Sequence, residues 1–106
     1  MSALLATAAP APALLSRAVP ACTSQWKAVE RVALRRPRVQ DGPVVTSSSP
    51  VHYYLRKGEL VKSCVVAVGR TEGGPAYRAC GREGHLWRVV PGRRGGQVPA
   101  TCLTRA

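Results

Sequence analysis

The sequence predicts a largely disordered chain that carries one short N-terminal helix, residues 24–36, and at most a small antiparallel β-meander over residues 51–103. Three observations lead there. Sixteen Lys and Arg face five Asp and Glu, a net charge of +11 on 106 residues. Phe, Ile and Asn are absent, and Leu and Val together number 23, close to the level at which strong charge makes disorder the default. Ala, Arg, Gly and Pro, all with GC-rich codons, supply 47 residues, and 19 of these are the turn formers Gly and Pro. Residues 44–106 offer ten Val, four Leu, three Tyr and Trp87 as bulky apolar groups, which leaves that segment marginal if it folds alone.

Residues 1–22 carry a single charge, Arg17, and no acid precedes Glu30, so they read as a candidate targeting segment. A secretory signal fits the apolar run Leu4–Leu15 and the small residues near Val19-Pro20-Ala21. Against it, no basic residue precedes the run and Pro10 and Pro12 break it. A mitochondrial presequence draws on the amphipathic basic helix predicted within residues 23–36. Ser24 supplies an N-cap and Pro37 a stop. Lys27, Arg31 and Arg35 recur every four residues on one face, and Trp26, Val29 and Ala33 lie on another. The expected address is therefore mitochondrial, with secreted or cytosolic/nuclear as alternatives. No stretch reaches the roughly 18 uninterrupted apolar residues of a membrane span.

Residues 37–50 hold three Pro and the run Ser47-Ser48-Ser49, the composition of a linker. Beyond them lies a small β-rich region, or disordered sequence, over residues 51–106. Val51–Arg56 alternates apolar and polar, and Lys57-Gly58-Glu59 turns it into the Val-rich stretch Leu60–Val68. Ala76–Cys80 and His85–Val90 form a second hairpin around the turn Gly81–Gly84. Gln97–Leu103 adds a weak strand containing Pro99.

The string Cys80-Gly81-Arg82-Glu83-Gly84-His85 resembles the centre of a CCHC zinc knuckle, a module that binds single-stranded nucleic acid. The resemblance covers six residues. Tyr77 and Val90 stand where that family places its other two cysteines, so the four-coordinate shell stays open. The simpler expectation is a hairpin turn. Four cysteines (Cys22, Cys64, Cys80, Cys102) allow three disulfide pairings in an oxidising compartment, but with no C-x-x-C pair among them the expectation is scattered free thiols.

Catalytic constellations are not legible. His52 and His85 are the only histidines, no acidic pair is close in sequence, and Ser47–Ser49 have no evident base. Gly92-Arg93-Arg94-Gly95-Gly96 lacks the Lys-Ser/Thr ending of a phosphate loop. No cofactor, metal site or small-molecule substrate is implied. What remains is diffuse cationic binding, with Arg31, Arg35, Arg36, Arg38, Arg82, Arg88, Arg93 and Arg94 as candidate anion or nucleic-acid contacts. Trp26, Tyr53, Tyr54, Tyr77 and Trp87 are available for stacking. The expected function is a non-enzymatic accessory or interaction protein that docks through its basic surface on an acidic protein surface or nucleic acid. An electrostatic RNA-binding module is the first alternative. A GC-rich reading-frame product or splice variant without a dedicated function is the second.

Overall fold

Alternation, not helical periodicity, governs the first described segment. Residues 21–106 are described in the computed structural model, and within them Gln25–Ala28 and Val32–Arg35 are strands, β1 and β2. Trp26 and Ala28 turn inward on β1 while Gln25 and Lys27 face out, and β2 buries Val32 and Leu34. The predicted helix over residues 24–36 is therefore wrong. Two short strands joined by the turn Val29–Arg31 reproduce a spacing of four for Lys27, Arg31 and Arg35. A lone thirteen-residue helix gains too little to compete with strand pairing that buries four apolar groups.

The two strands belong to different sheets, so the chain crosses between layers at residues 29–31. With β3 (Val51–Leu55), β4 (Leu60–Lys62), β5 (Val65–Val68), β8 (Leu86–Val90), β9 (Gly96–Pro99) and β10 (Leu103–Arg105), they build a three-stranded sheet of order β10-β1-β4 and a five-stranded sheet of order β3-β2-β9-β8-β5. A two-stranded hairpin, β6 (Tyr77–Ala79) with β7 (Arg82–Gly84), completes the set. All pairings are antiparallel. The expected disorder is overturned: strand makes up 44% of the described residues, and none of their helices reaches seven residues. No helix among them is long and apolar enough to cross a membrane.

The reason lies in the core. Ala28, Val61 and Leu103 from the smaller sheet pack on Val32, Leu34, Leu55, Val90 and Val98 from the larger one, with Cys102 among them. The bulky groups after residue 44 are thus joined by apolar groups from β1 and β2, which lie outside that segment. The opposite face of the larger sheet carries Trp87, covered by Val45 and Tyr77. Gly69 makes room there: a Cβ on it would stand 2.6 Å from the Ala76 Cβ and 2.9 Å from Trp87 Nε1.

Val45 lies in the stretch predicted to be a linker. Residues 37–50 instead lie across the sheet, beginning with a short 3-10 turn at Val39–Asp41. The buried Gln97 holds them: its Oε1 accepts from the Val45 N–H at 3.2 Å and its Nε2 donates to the Pro43 carbonyl at 2.8 Å. Buried Ser49 closes the segment on itself, its Oγ accepting from the Thr46 N–H at 2.9 Å.

The meander also differs from expectation. Leu60–Val68 breaks at Ser63-Cys64 into β4 and β5, which enter different sheets, and β3 pairs with β2 rather than with β4. The second hairpin turns two residues earlier than predicted, at Cys80-Gly81, with φ of 53° and 78°. Two positive φ values match the twist of the flanking strands. Arg82-Glu83-Gly84 is strand β7, not turn.

The cysteines are not free. Cys22 bonds Cys64 and Cys80 bonds Cys102, closing separations of 42 and 22 residues. On chain-entropy grounds each bridge stabilises by about 3–4 kcal/mol. The second also fixes Cys80 in its left-handed conformation.

Two outcomes follow. Reducing both bridges should lower the denaturant midpoint of the full chain by an amount worth several kcal/mol, about 3 or more per bridge; an unchanged midpoint would contradict it. Gln97→Ala strands a buried N–H and a carbonyl and should cost about 2 kcal/mol in the same measurement.

Candidate cationic interface

Arginine can spend its guanidinium on backbone carbonyls, on aromatic faces, on carboxylates or on a partner, and the fold sorts the predicted contact residues among these uses. Arg35 lies on β2, and its Nη1 donates to the Ser49 carbonyl at 2.6 Å, tying down residues 37–50. Arg36 follows β2 and reaches the Pro91–Gly95 loop. Its Nε donates to the Gly95 carbonyl at 2.8 Å and its Nη2 to the Arg93 carbonyl. Both are half-buried, so they serve the fold. Arg38 faces Asp41 at 3.5 Å, an exposed pair.

Three aromatic rings take guanidiniums. Arg88 lies 3.9 Å above the Trp26 ring, with Arg105 at 5.2 Å. Arg94 covers Tyr53 at 4.5 Å and Arg31 covers Tyr54 at 3.8 Å. Cation–π contact holds each planar head in place while leaving its N–H edge free to donate. Trp26 is itself fixed, its Nε1 donating to the Ser63 carbonyl at 2.9 Å. Tyr77 and Trp87 are buried against one another, edge to face, with centroids 4.8 Å apart. All five aromatic groups considered for stacking are thus buried or carry a guanidinium.

Arg82 on β7 and Arg93 in the β8–β9 loop project into solvent. With Arg31, Arg38 and Arg94 they are the predicted contacts that remain exposed. Arg36, Arg93 and Arg94 come together where β2 ends and β9 begins, because Arg35 pairs with Gln97. Arg31 sits at the opposite end of β2, and Arg82 on the separate hairpin. Arg31, Arg36, Arg82, Arg93 and Arg94 therefore form one cluster and two outliers, while Arg35, Arg38 and Arg88 are engaged by Ser49, Asp41 and Trp26. Sequence reasoning passed over Arg105, whose place beside Trp26 depends on β1 pairing with β10. It also passed over the exposed Arg56-Lys57 turn.

Asp and Glu barely neutralise this surface. Among the described residues the ion pairs are Arg38–Asp41 and Arg78–Glu83, both at 3.5 Å and both exposed. Cys80 spends its sulfur on Cys102, and no group of three or more His, Cys, Asp or Glu among the described residues is placed to hold a metal ion. The zinc-knuckle string is therefore a hairpin. His52 stands edge-on to Tyr53, centroids 5.3 Å apart, while His85 joins β7 to β8 and its carbonyl accepts from the Gly69 N–H. A cleft of about 180 Å³ opens beside Trp87, bordered by Arg35, Ser47, Tyr77 and Arg78. Trp87 Nε1 is the buried side-chain polar atom without a hydrogen-bond partner among the described residues. It faces Gly69, which does not border the cleft.

The fold and surface define a disulfide-braced β-protein with an under-neutralised cationic face. No family model matches the chain, and comparison with curated proteins and with solved structures returns no match.

The sorting predicts two classes of variant. Arg35→Ala and Arg36→Ala should each destabilise by about 1–3 kcal/mol, because charged donors to carbonyls are removed. Arg82→Ala and Arg93→Ala should stay within about 0.5 kcal/mol of the parent. Urea denaturation curves of the four variants check both.

Proposed function

We propose that this chain is a non-enzymatic interaction protein of an oxidising compartment, docking through its arginine-rich surface on an acidic protein partner. The observation that carries the reading is the charge imbalance on the folded surface. Among the described residues fifteen Lys and Arg oppose five acids, and two ion pairs form. Arg31, Arg93 and Arg94 are exposed, and Arg31 and Arg94 lie over tyrosine rings, which lowers the entropy lost when a carboxylate is bound.

The aromatic groups favour an acidic protein over single-stranded RNA. Base stacking needs an open ring face, and here the rings are buried or already covered by guanidinium. The cysteines favour the secretory address among those expected from the sequence, since both bonds would be reduced in the cytosol or mitochondrial matrix. The mitochondrial expectation drew on a helix over residues 24–36, and that segment is two strands. The candidate targeting segment 1–22 lies, apart from its last two residues, outside the described residues.

Fluorescence anisotropy of labelled polyglutamate and of a labelled single-stranded RNA, titrated with the oxidised chain, tests the reading. Polyglutamate should bind more tightly than RNA of matched charge. Its affinity should fall at least about tenfold between about 50 and about 500 mM salt as the charges are screened. Replacing Arg31, Arg93 and Arg94 together with Ala should weaken it by about 1–3 kcal/mol. Tighter binding of RNA, or none of polyglutamate at low salt, would overturn the proposal.

A further inference from the structure

We propose that β5 is a docking edge: an extended strand of the acidic partner, apolar in its middle and acidic at its ends, adds to the five-stranded sheet beside β5 as a sixth strand. The inference rests on the reading that the partner is an acidic protein, and it names the element and the backbone mode of that contact.

β5 is an outermost strand, paired on one side with β8 and on the other with nothing among the described residues. The register fixes which backbone groups are open. The Gly69 N–H donates to the His85 carbonyl, and residues in an antiparallel pair alternate between bonding inward and facing outward. Val65 and Ala67 therefore bond toward β8, while Val66 and Val68 present their N–H and C=O groups along the free edge. These are two donors and two acceptors at the spacing an incoming strand requires.

The side chains leave that edge bare. Val65, Val66 and Val68 are 59%, 41% and 66% exposed, and Leu86, paired with Val68, is 42% exposed. Natural sheets blunt their edges with charge, proline, bulges or covering side chains. The other edge of this sheet follows that rule. β3 meets β2 through a register shift at Leu34/Arg35, and Arg94 and Arg31 cover its two tyrosines. β5 is short, at four residues, but has no proline, no charge and no bulge, which leaves its edge open to a partner strand.

Charge selects the occupant. Lys62 precedes β5 by three residues and Arg70 follows it by two, both exposed, with Glu72 the nearest acid along the chain; Arg70 also donates through Nη2 to the Asp41 carbonyl, an exposed contact that leaves its other N–H groups open. Arg88 pairs with Val66 from the adjacent strand. A second copy would bring the same cations to both ends of the ladder and add a second charge of +11, so self-pairing through β5 is opposed. A strand with Asp or Glu at its ends meets Lys62 and Arg70 with opposite sign.

The test uses the oxidised full chain and a fluorescent peptide of alternating Val and Thr flanked by Asp-Glu at each end. Saturable binding is expected, with at least about tenfold weaker binding by a Lys-flanked peptide and by an N-methylated peptide that cannot join a ladder. Val66→Pro removes an outward N–H that serves no internal bond, a position where edge strands tolerate proline. It should abolish peptide binding while polyglutamate binding and the melting temperature stay unchanged. Should the proline variant melt early, the N-methylated peptide decides alone, because it leaves the chain untouched. Equal binding of the methylated or Lys-flanked peptide overturns the proposal, as does a dimer of the parent chain that Val66→Pro dissolves. Polyglutamate binding without peptide binding overturns strand addition and leaves the acidic-partner reading standing. Absence of both overturns both.

Discussion

Burial of Ala28, Val32 and Leu34 between the two sheets is the interaction on which the rest of the structure depends. β1 lies at the centre of the three-stranded sheet, between β10 and β4, and β2 lies between β3 and β9 in the larger one. Removing this eleven-residue stretch would leave β10 and β4 without a partner and would detach β3 from its sheet. The bulky apolar groups after residue 44 suffice only because residues 25–35 complete both layers and two disulfides shorten the accessible unfolded chain. Compactness at so high a charge is then a matter of topology: long-range pairing joins segments that are each too poor to fold alone.

That topology explains which parts of the fold were legible. Val51–Leu55 reads as a strand because the half-buried Tyr53 and buried Leu55 alternate with exposed His52 and Tyr54. Val65–Val68 reads as a strand from β-branched residues alone. Lys27, Arg31 and Arg35 misled because strand, turn and strand can repeat charges at a helical interval, although Arg35 is half-buried on Ser49. Residues 37–50 were illegible for a different reason. Their order comes from Gln97, more than fifty residues downstream of Val45, and composition carries no trace of a partner at that distance. The disulfides share this property, since only the finished sheets bring Cys22 to Cys64 and Cys80 to Cys102.

The surface was legible in sign and illegible in division of labour. Charge count alone predicts an anionic partner. It cannot separate Arg35 and Arg36, which grip carbonyls, from Arg93 and Arg94, which follow the loop that Arg36 holds. The same packing that takes Arg35 and Arg36 out of the proposed interface positions Arg93 and Arg94 within it, so the fold and the proposed docking surface draw on neighbouring side chains. In the proposed docking mode β5 extends this economy to the backbone: its free groups exist because the sheet ends there, and the flanking cations favour an acidic strand.

Amide hydrogen exchange of the oxidised full chain tests the central claim most directly. If residues 25–35 tie the sheets together, the amides of β1 and β2 exchange within about tenfold of those in β8, as members of one cooperative unit. Fast exchange across residues 25–35, beside slow exchange in β8, would show that the later strands hold themselves together without them, and would contradict the account.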